Sequence, residues 1–228
     1  MKKNVITICS VIILLMLIFL QCSKDNNNSS SITWSKIFSD DFQRADGPIG
    51  DSFTPEVSCQ GNGTADIYTN KLRFSGSGCW AIWYNGTVNE NILKVAVSCT
   101  TSESSSSNNF GVTAKHKKLP AEYEQEFYGG FVMNDSLGIE KCQGMTPAVM
   151  VAKAYKIQGN HTYKLEFIVN GTKLTLNIED VTTGVKETLT ATDTGTPLTG
   201  TSIGINGYNM STSDVFLFDD FKIDKGTN

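Results

Sequence analysis

Three glutamates lie at alternate positions in one short segment, Glu122-Tyr-Glu124-Gln-Glu126. In an extended strand, positions i, i+2 and i+4 face the same side, so the three carboxylates would project into one space. A retaining glycosidase needs two carboxyl groups about 5–5.5 Å apart, one as nucleophile and one as acid/base. Glu122 and Glu126 are therefore candidate catalytic residues. Pro120, just upstream, favours the alternative interpretation, a solvated acidic loop.

Aromatic side chains cluster in the segment Trp80-Ala-Ile-Trp83-Tyr84. In a regular strand, Trp80 and Ile82 would face one side and Trp83 the other. An outward ring could cover the apolar face of a pyranose, so Trp80, Trp83 and Tyr84 are candidate ligand-binding residues. The alternative is that both tryptophans pack, one in the core and one under a loop, because large aromatic side chains are highly buried on average.

Two pairs of adjacent aspartates, Asp40-Asp41 and Asp219-Asp220, stand near the two ends of the chain. They would come close together if the terminal strands pair. Calcium prefers six to eight oxygen ligands, so these four carboxylates form a candidate structural calcium site, the one cofactor that the sequence suggests. Alternatively, one aspartate of each pair points to solvent while the other caps a turn or pairs with Arg44.

The chain has six cysteines, of which four follow the N-terminal segment. In an exported protein an even number of cysteines usually means disulfides, and four cysteines allow three connectivities. We favour neighbouring pairs because strands pair most often with their sequence neighbours. A zinc site fits poorly, since no Cys-x-x-Cys pair is present and neither histidine is near a cysteine in sequence. The favoured disulfides are Cys59–Cys79 and Cys99–Cys142.

The N-terminus has the layout of a secretory signal peptide. Lys2 and Lys3 precede an apolar run that ends at Leu20, and the run is short for a membrane span. The segment from Leu17 to Cys22 resembles the lipobox of bacterial lipoproteins, although Phe19 and Gln21 replace commoner residues. The resemblance implies a lipidated Cys22 sulfur and a protein anchored to a bacterial membrane, in the periplasm or at the cell surface. Alternatives are an uncleaved anchor and an ordinary secretory signal.

These features divide the chain into a signal peptide (1–21), a polar flexible tether (22–31) and one domain (32–226). Removing residues 1–21 leaves 228 − 21 = 207 residues, enough for one sizeable core. It also removes Lys2 and Lys3, so the formal charge falls from −4 to −4 − 2 = −6. An acidic domain without a glycine-rich phosphate loop predicts neither nucleic acid nor nucleotide as a partner.

From Ile32 onward the sequence predicts an all-β domain, because short β-rich runs alternate with turn signals. The best hairpin joins Tyr163–Val169 to Thr172–Ile178 through Asn170-Gly171, a pair that tolerates the positive φ angles of a type I′ turn. Apolar and polar residues alternate in both arms, as in a sheet with one buried face. The clearest other strands are Ala65–Tyr68, Lys71–Phe74, Ala81–Tyr84, Ile92–Ser98, Phe110–Ala114 and Ala148–Ala152.

Both ends of the domain carry a family resemblance. The segment Phe38-Ser-Asp-Asp-Phe-Gln-Arg-Ala-Asp-Gly-Pro-Ile-Gly-Asp-Ser-Phe53 resembles the opening of secreted concanavalin A-like lectin/glucanase (LamG-like) domains, with Phe53 where tryptophan is usual. The segment Val215-Phe-Leu-Phe-Asp-Asp-Phe-Lys-Ile223 is similar to their closing strand, and Asn70–Phe74 resembles their second hairpin. The resemblance implies a jelly-roll sandwich of two antiparallel sheets, with the first and last strands adjacent.

The same resemblance bears on the candidate sites. Related modules carry structural calcium near such strand ends. Laminarinase-like members place their catalytic pair in a motif of the form Glu-x-Asp-x-Glu, so Glu122 and Glu126 match nucleophile and acid/base while Glu124 replaces the aspartate. This architecture also hosts lectins, glycan-binding modules and structural modules. We therefore expect a lipid-anchored envelope or surface protein that binds glycan or another surface component. The alternatives are a glycoside hydrolase and a structural lipoprotein.

Overall fold

The computed structural model describes residues 31–57, 64–76, 78–102, 109–120, 124–133, 135–209 and 215–228. Among these, Thr33–Thr227 forms one compact unit in which every regular element is a β-strand. The described part of the chain holds no helix with the length and apolarity needed to cross a membrane. The strands are β1 (Thr33–Asp40), β2 (Phe53–Val57), β3 (Thr64–Tyr68), β4 (Lys71–Ser75), β5 (Gly78–Tyr84), β6 (Ile92–Thr101), β7 (Asn109–Lys118), β8 (Gln125–Met133), β9 (Ser136–Gly144), β10 (Pro147–Ala154), β11 (Thr162–Asn170), β12 (Lys173–Asp180), β13 (Lys186–Thr192), β14 (Ser202–Asn209) and β15 (Val215–Thr227).

The strands form two antiparallel sheets. The eight-stranded sheet has the order β13-β12-β11-β6-β15-β4-β3, with β1 added against β15. The seven-stranded sheet has the order β10-β9-β8-β7-β14-β5-β2. The predicted all-β sandwich of two antiparallel sheets is therefore confirmed.

The last strand holds the eight-stranded sheet together. Along one edge, β15 pairs first with β4 over Val215–Phe218 and then with β1 over Phe221–Thr227, while β6 pairs along its other edge. The first and last strands are adjacent, as the family resemblance implied.

The hairpin β11–β12 shows how sequence alternation builds the core. Its inward residues are all buried, as predicted, but its turn lies one residue later. Asn170 pairs with Lys173, so Gly171 and Thr172 form the turn, and only Gly171 has a positive φ (58°). The predicted type I′ turn at Asn170-Gly171 is therefore wrong, since that turn needs positive φ at both central residues. The buried residues are Leu165, Phe167, Val169, Leu174, Leu176 and Ile178.

The space between the sheets is filled by large aromatic side chains from both of them. Burying one such side chain stabilises the fold by about 1.5–3 kcal/mol. Because side chains alternate along a strand, this shared core also defines which residues of each strand point away from it. The fully buried aromatic residues are Phe42, Phe74, Phe110, Tyr128, Tyr163, Phe167, Phe216, Phe218 and Phe221.

Candidate functional site

Each sheet has a side that faces away from the core. In β14, Ile203 and Ile205 belong to the core, so Gly204 and Asn206 point to the other side of the seven-stranded sheet. We call that side the seven-strand face. The corresponding outward side of the eight-stranded sheet, which carries Lys94, is called the eight-strand face.

Two rows of outward residues cross the seven-strand face, as the strand register shows. Both rows combine glycines with large or polar side chains. The first row is Trp83, Gly204, Thr113, Gly129, Glu140 and Val149, and the second is Ala81, Asn206, Gly111, Phe131, Gly138 and Ala152.

The glycines leave space in which larger neighbouring side chains pack flat against the sheet. A Cβ atom at each of three glycine positions would come closer to the neighbouring side chain than real Cβ atoms do. An indole, a carboxyl group and a phenyl ring occupy that space. Measured from the Cβ that would be added, the distances are 2.6 Å at Gly204 to the Trp83 ring and 2.8 Å at Gly129 to Glu140 Oε1. At Gly138 the distance to the Phe131 ring is 2.5 Å.

Trp83 lies on this face and is partly exposed. Its ring stacks on His116, with centroids 4.0 Å apart and an interplanar angle of 12°. Its Nε1 donates a hydrogen bond of 2.6 Å to Glu56, whose other carboxyl oxygen lies 3.5 Å from Lys118 Nζ. Burial lowers the pKa of His116, so the imidazole is neutral at pH 7 and stacks without a charge. His116 and Glu56 thus hold the indole in place, and part of the Trp83 side chain stays accessible.

Glu140 is the unusual ionisable group of this face. Burial raises the pKa of its carboxyl to about 7, because desolvation penalises the ionised form. No residue of the described part of the chain forms a hydrogen bond or ion pair with this carboxyl group. Its neighbours by register are Gly129 on β8 and Val149 on β10, with the Cys142 thiol two residues along β9. Near pH 7 such a carboxyl can either donate or accept a hydrogen bond.

Asn206 has a buried polar atom without a partner. Its Nδ2 donates to Thr113 Oγ1, while its Oδ1 is buried and has no hydrogen-bond partner. Turning the amide round would leave the nitrogen unpartnered instead. A buried polar atom without a partner costs about 1–3 kcal/mol, which a hydrogen bond to a ligand or a water molecule would offset.

The predicted disulfide Cys99–Cys142 is wrong, because both residues are free, buried thiols. Cys99 belongs to the core cluster and comes from the eight-stranded sheet. Cys142 lies in β9, on the same side as Glu140 and away from the core, so the seven-stranded sheet separates the two sulfurs. Burial raises the pKa of Cys142 to about 11 and also raises that of Cys99. Cys59 and the side chain of Cys79 lie outside the described part, and their pairing stays a prediction.

The other predicted aromatic residues are not brought together with Trp83. Tyr84 points to the core side, where its ring lies 4.4 Å from that of Phe38. The backbone of Trp80 pairs with Val57 and Gly207, but its side chain lies outside what the structure describes.

Of the two candidate catalytic residues, the structure describes only Glu126. Glu126 lies in β8 with the same orientation as Tyr128, so it points to the core side of the sheet and away from Trp83 and Glu140. Glu122 lies outside the described residues. The hydrolase alternative therefore stays a prediction.

The two aspartate pairs each have local partners. Arg44 Nη1 lies 2.8 and 3.0 Å from the two carboxylate oxygens of Asp40, and Lys71 Nζ lies 2.9 Å from Asp219. Asp41 accepts a backbone hydrogen bond from Gln43, and the carboxylate of exposed Asp220 lies 3.9 Å from Lys222 Nζ. Within the described ranges no three acidic, histidine or cysteine side chains are grouped so as to hold a metal ion. Calcium stays a prediction.

No family model and no curated protein matches this sequence. Solved structures do match in fold. A galectin-like protein of unknown function from Bacillus subtilis has a TM-score of 0.62 at 13% identity, covering 86% of this chain and all (100%) of that one. The fold is a lectin-type jelly roll. The carbohydrate-binding module CBM66 from B. subtilis matches this jelly roll with a TM-score of 0.57 at 12% identity, covering 76% of this chain and 96% of that one. Lectin II from Ulex europaeus matches with a TM-score of 0.58 at 8% identity, covering 85% and 100%.

Sequence reasoning found Trp83 but missed Glu140, Asn206, Thr113 and His116. The available signal was the alternation of glycine with large or polar residues, Gly129-x-Phe131 in β8 and Gly138-x-Glu140 in β9. In a strand this spacing places glycine beside a large side chain on the same face.

Proposed function

We propose that this chain is a lipid-anchored surface or envelope protein whose jelly roll binds glycan on its seven-strand face. The observation that carries the proposal is the grouping of a partly exposed indole with two polar groups that have no partner among the described residues, the Glu140 carboxyl and one atom of the Asn206 amide. Sugars present both an apolar ring face and hydroxyl groups, so they can engage an aromatic ring and hydrogen-bonding groups together.

The fold neighbours support the same function. One is described as a carbohydrate-binding module, and legume lectins of this fold were solved in complex with galactose and with methyl-α-D-galactose. Their identity to this chain is 12% or lower, so the argument for glycan rests on the side chains of the seven-strand face rather than on the likeness.

A glycan array tests the proposal with the detergent-solubilised full chain. We expect at least one glycan to bind, and Trp83→Ala to weaken that binding by about 1–3 kcal/mol, the range measured for an aromatic ring stacked on a nucleic-acid base and used here by analogy. The matched control is Trp34→Ala, because Trp34 is also partly exposed but lies on the eight-strand face, with Lys94 Nζ 4.6 Å from its ring centroid.

Equal losses in both variants would refute the seven-strand face as the site. Turnover of a bound glycan that is abolished by Glu122→Gln and Glu126→Gln, with Trp83→Ala still active, would establish the hydrolase alternative instead.

The lipid anchor is a proposal from sequence, since Cys22 lies outside the described residues. A thioether-linked lipid requires the cysteine sulfur, so Cys22→Ser should abolish incorporation of labelled fatty acid and release the protein from the membrane fraction. Unchanged labelling of Cys22→Ser would contradict the anchor without affecting the glycan site.

A further inference from the structure

We infer that the seven-strand face selects uncharged glycans over acidic ones, and that Glu140 is its specificity-determining residue. This inference rests on the proposed glycan-binding function. It follows from the charges of the face, from the unpartnered state of Glu140 and from the position of that carboxyl opposite Trp83.

The charged groups of this face offer nothing to a sugar carboxylate or sulfate. Among the described residues, Lys118 is the one cation on the seven-strand face, and it already lies 3.5 Å from Glu56. Lys141 points to the core side and forms a 2.7 Å ion pair with Asp193. Lys115 donates a 2.6 Å hydrogen bond to the Glu90 carbonyl oxygen. An acidic sugar would therefore meet the Glu140 carboxyl without a cation to offset the repulsion.

The positions of Trp83 and Glu140 suit a ligand that lies between them. The indole lies over Gly204 in β14 and the carboxyl over Gly129 in β8. These two strands flank β7, so the two groups are separated by two strand spacings, about 10 Å. A sugar ring with its hydroxyl groups can bridge such a separation, touching the indole on one side and the carboxyl on the other.

Uncharged hydroxyl groups complement the polar atoms that the fold leaves without partners. A hydroxyl group both donates and accepts, so it can bond the Glu140 carboxyl in either protonation state and can also bond the free atom of the Asn206 amide. Binding would then supply hydrogen bonds to a partly buried carboxyl group and to a buried amide atom that have no partner among the described residues. The carboxylate group of an acidic sugar could bond the Glu140 carboxyl only while one of the two groups carries a proton.

The test compares the full-chain wild type with Glu140→Gln on an array that carries each neutral glycan beside a counterpart bearing uronic acid or sulfate. The assay is run at pH 8, where the Glu140 carboxyl is ionised. Glutamine keeps the shape of glutamate and removes its charge. We expect the wild type to prefer neutral glycans, and Glu140→Gln to weaken their binding about tenfold through loss of a charge-assisted hydrogen bond. Binding of the acidic counterparts should rise at least about threefold as the repulsion disappears.

Two further variants make the result decisive. Glu140→Lys should reverse the preference toward acidic glycans. The control Glu166→Gln removes a carboxylate from the eight-strand face, where Glu166 lies 3.7 Å from Lys94, and should change neither affinity more than about twofold. Thermal unfolding of each variant confirms that it is folded.

The failures of the two proposals are distinguishable. This inference would be overturned if the wild type preferred acidic glycans, or if Glu140→Gln bound both glycan classes as the wild type does. Either result would leave the proposed glycan binding intact. A folded wild type that binds no glycan would overturn the proposed function and this inference with it.

Discussion

The two outward faces of this sandwich differ in how their polar groups are satisfied. On the eight-strand face, Lys94 lies 3.2 Å from Asp224 and 3.7 Å from Glu166. Asn177 donates to Glu166 and accepts from Thr188, so its amide has both kinds of partner. On the seven-strand face, the Glu140 carboxyl and one atom of the Asn206 amide have no partner among the described residues.

This difference is the reason why we propose the ligand site on the seven-strand face. Charges that pair with one another, and amides that are bonded on both sides, need only water to complete their hydrogen bonds. Polar groups that are removed from water without gaining partners raise the free energy of the folded protein, and a ligand that bonds them recovers this cost. The eight-strand face is thus a solvated surface, even though small residues, Ala96 and Ser98, leave a groove along it.

The largest expected effect is on stability and depends on pH. The pKa of Glu140 is raised to about 7 in the folded protein from an ordinary value near 4.5, so the stability contributed by its proton is fully present below pH 4.5. That stability is lost as the pH rises to about 7, by about 3 kcal/mol in total. Glu140→Gln should therefore raise the free energy of unfolding by about 3 kcal/mol at pH 8 and leave it nearly unchanged at pH 4.

Urea unfolding at both pH values measures this effect. Glu179→Gln, which removes a carboxylate from the eight-strand face, is the matched control. Suppose instead that the difference in free energy of unfolding between wild type and Glu140→Gln is the same at pH 4 and pH 8. That result would show that Glu140 is not desolvated in the folded protein, and the contrast between the two faces would fail.

The second effect concerns the glycines. A Cβ at Gly138 would lie 2.5 Å from the Phe131 ring, so Gly138→Ala must displace that ring and should destabilise the fold by about 1–3 kcal/mol. Gly195→Ala is the control, because its Cβ would meet nothing closer than 3.4 Å. Denaturant unfolding compares the two variants. If Gly138→Ala were as stable as Gly195→Ala, the side chains of the seven-strand face would be free to rearrange. That result would weaken the argument for a preformed site.

The smallest effect belongs to the eight-strand face. Lys186 and Glu179 pair at 3.2 Å, and the side chain of Lys186 is 69% exposed. Removing this pair with Lys186→Met should change the free energy of unfolding by less than about 1 kcal/mol, since exposed ion pairs contribute little and salt screens them. Unfolding at low and high salt checks it. A loss of several kcal/mol would mean that this face is more than a solvated surface.

Strands with alternating apolar residues could be predicted from the sequence, including β5 and β7 of the site, whereas the glycine-containing strands that complete the site could not. The hairpin β11–β12 and strands β3 to β7 match the predicted segments, because branched and aromatic residues at every second position favour a half-buried strand. Strands β8, β9 and β14 were missed. They contain glycines such as Gly129, Gly138 and Gly204, and glycine is depleted in ordinary strands.

The same limit applied to individual residues. Trp83 was recognised as outward because strand alternation opposes it to Ile82, which is a local relation. The Cys99–Cys142 pairing failed because sequence proximity does not show that one side chain lies in the core and the other beyond the sheet. Glu140 is ordinary as a residue type, and only its burial over Gly129 makes it a candidate.

The sequence alone determined the all-β architecture, the pairing of the terminal strands through the family resemblance, and the outward direction of Trp83. These depend on periodicity and on motifs that are local in the chain. The tertiary structure decided which groups meet on the seven-strand face, because Trp83, Asn206, Thr113 and Glu140 come from four strands that are distant in sequence. It also decided which polar atoms keep no partner, since burial and hydrogen bonding are properties of the packed sheets rather than of any one segment.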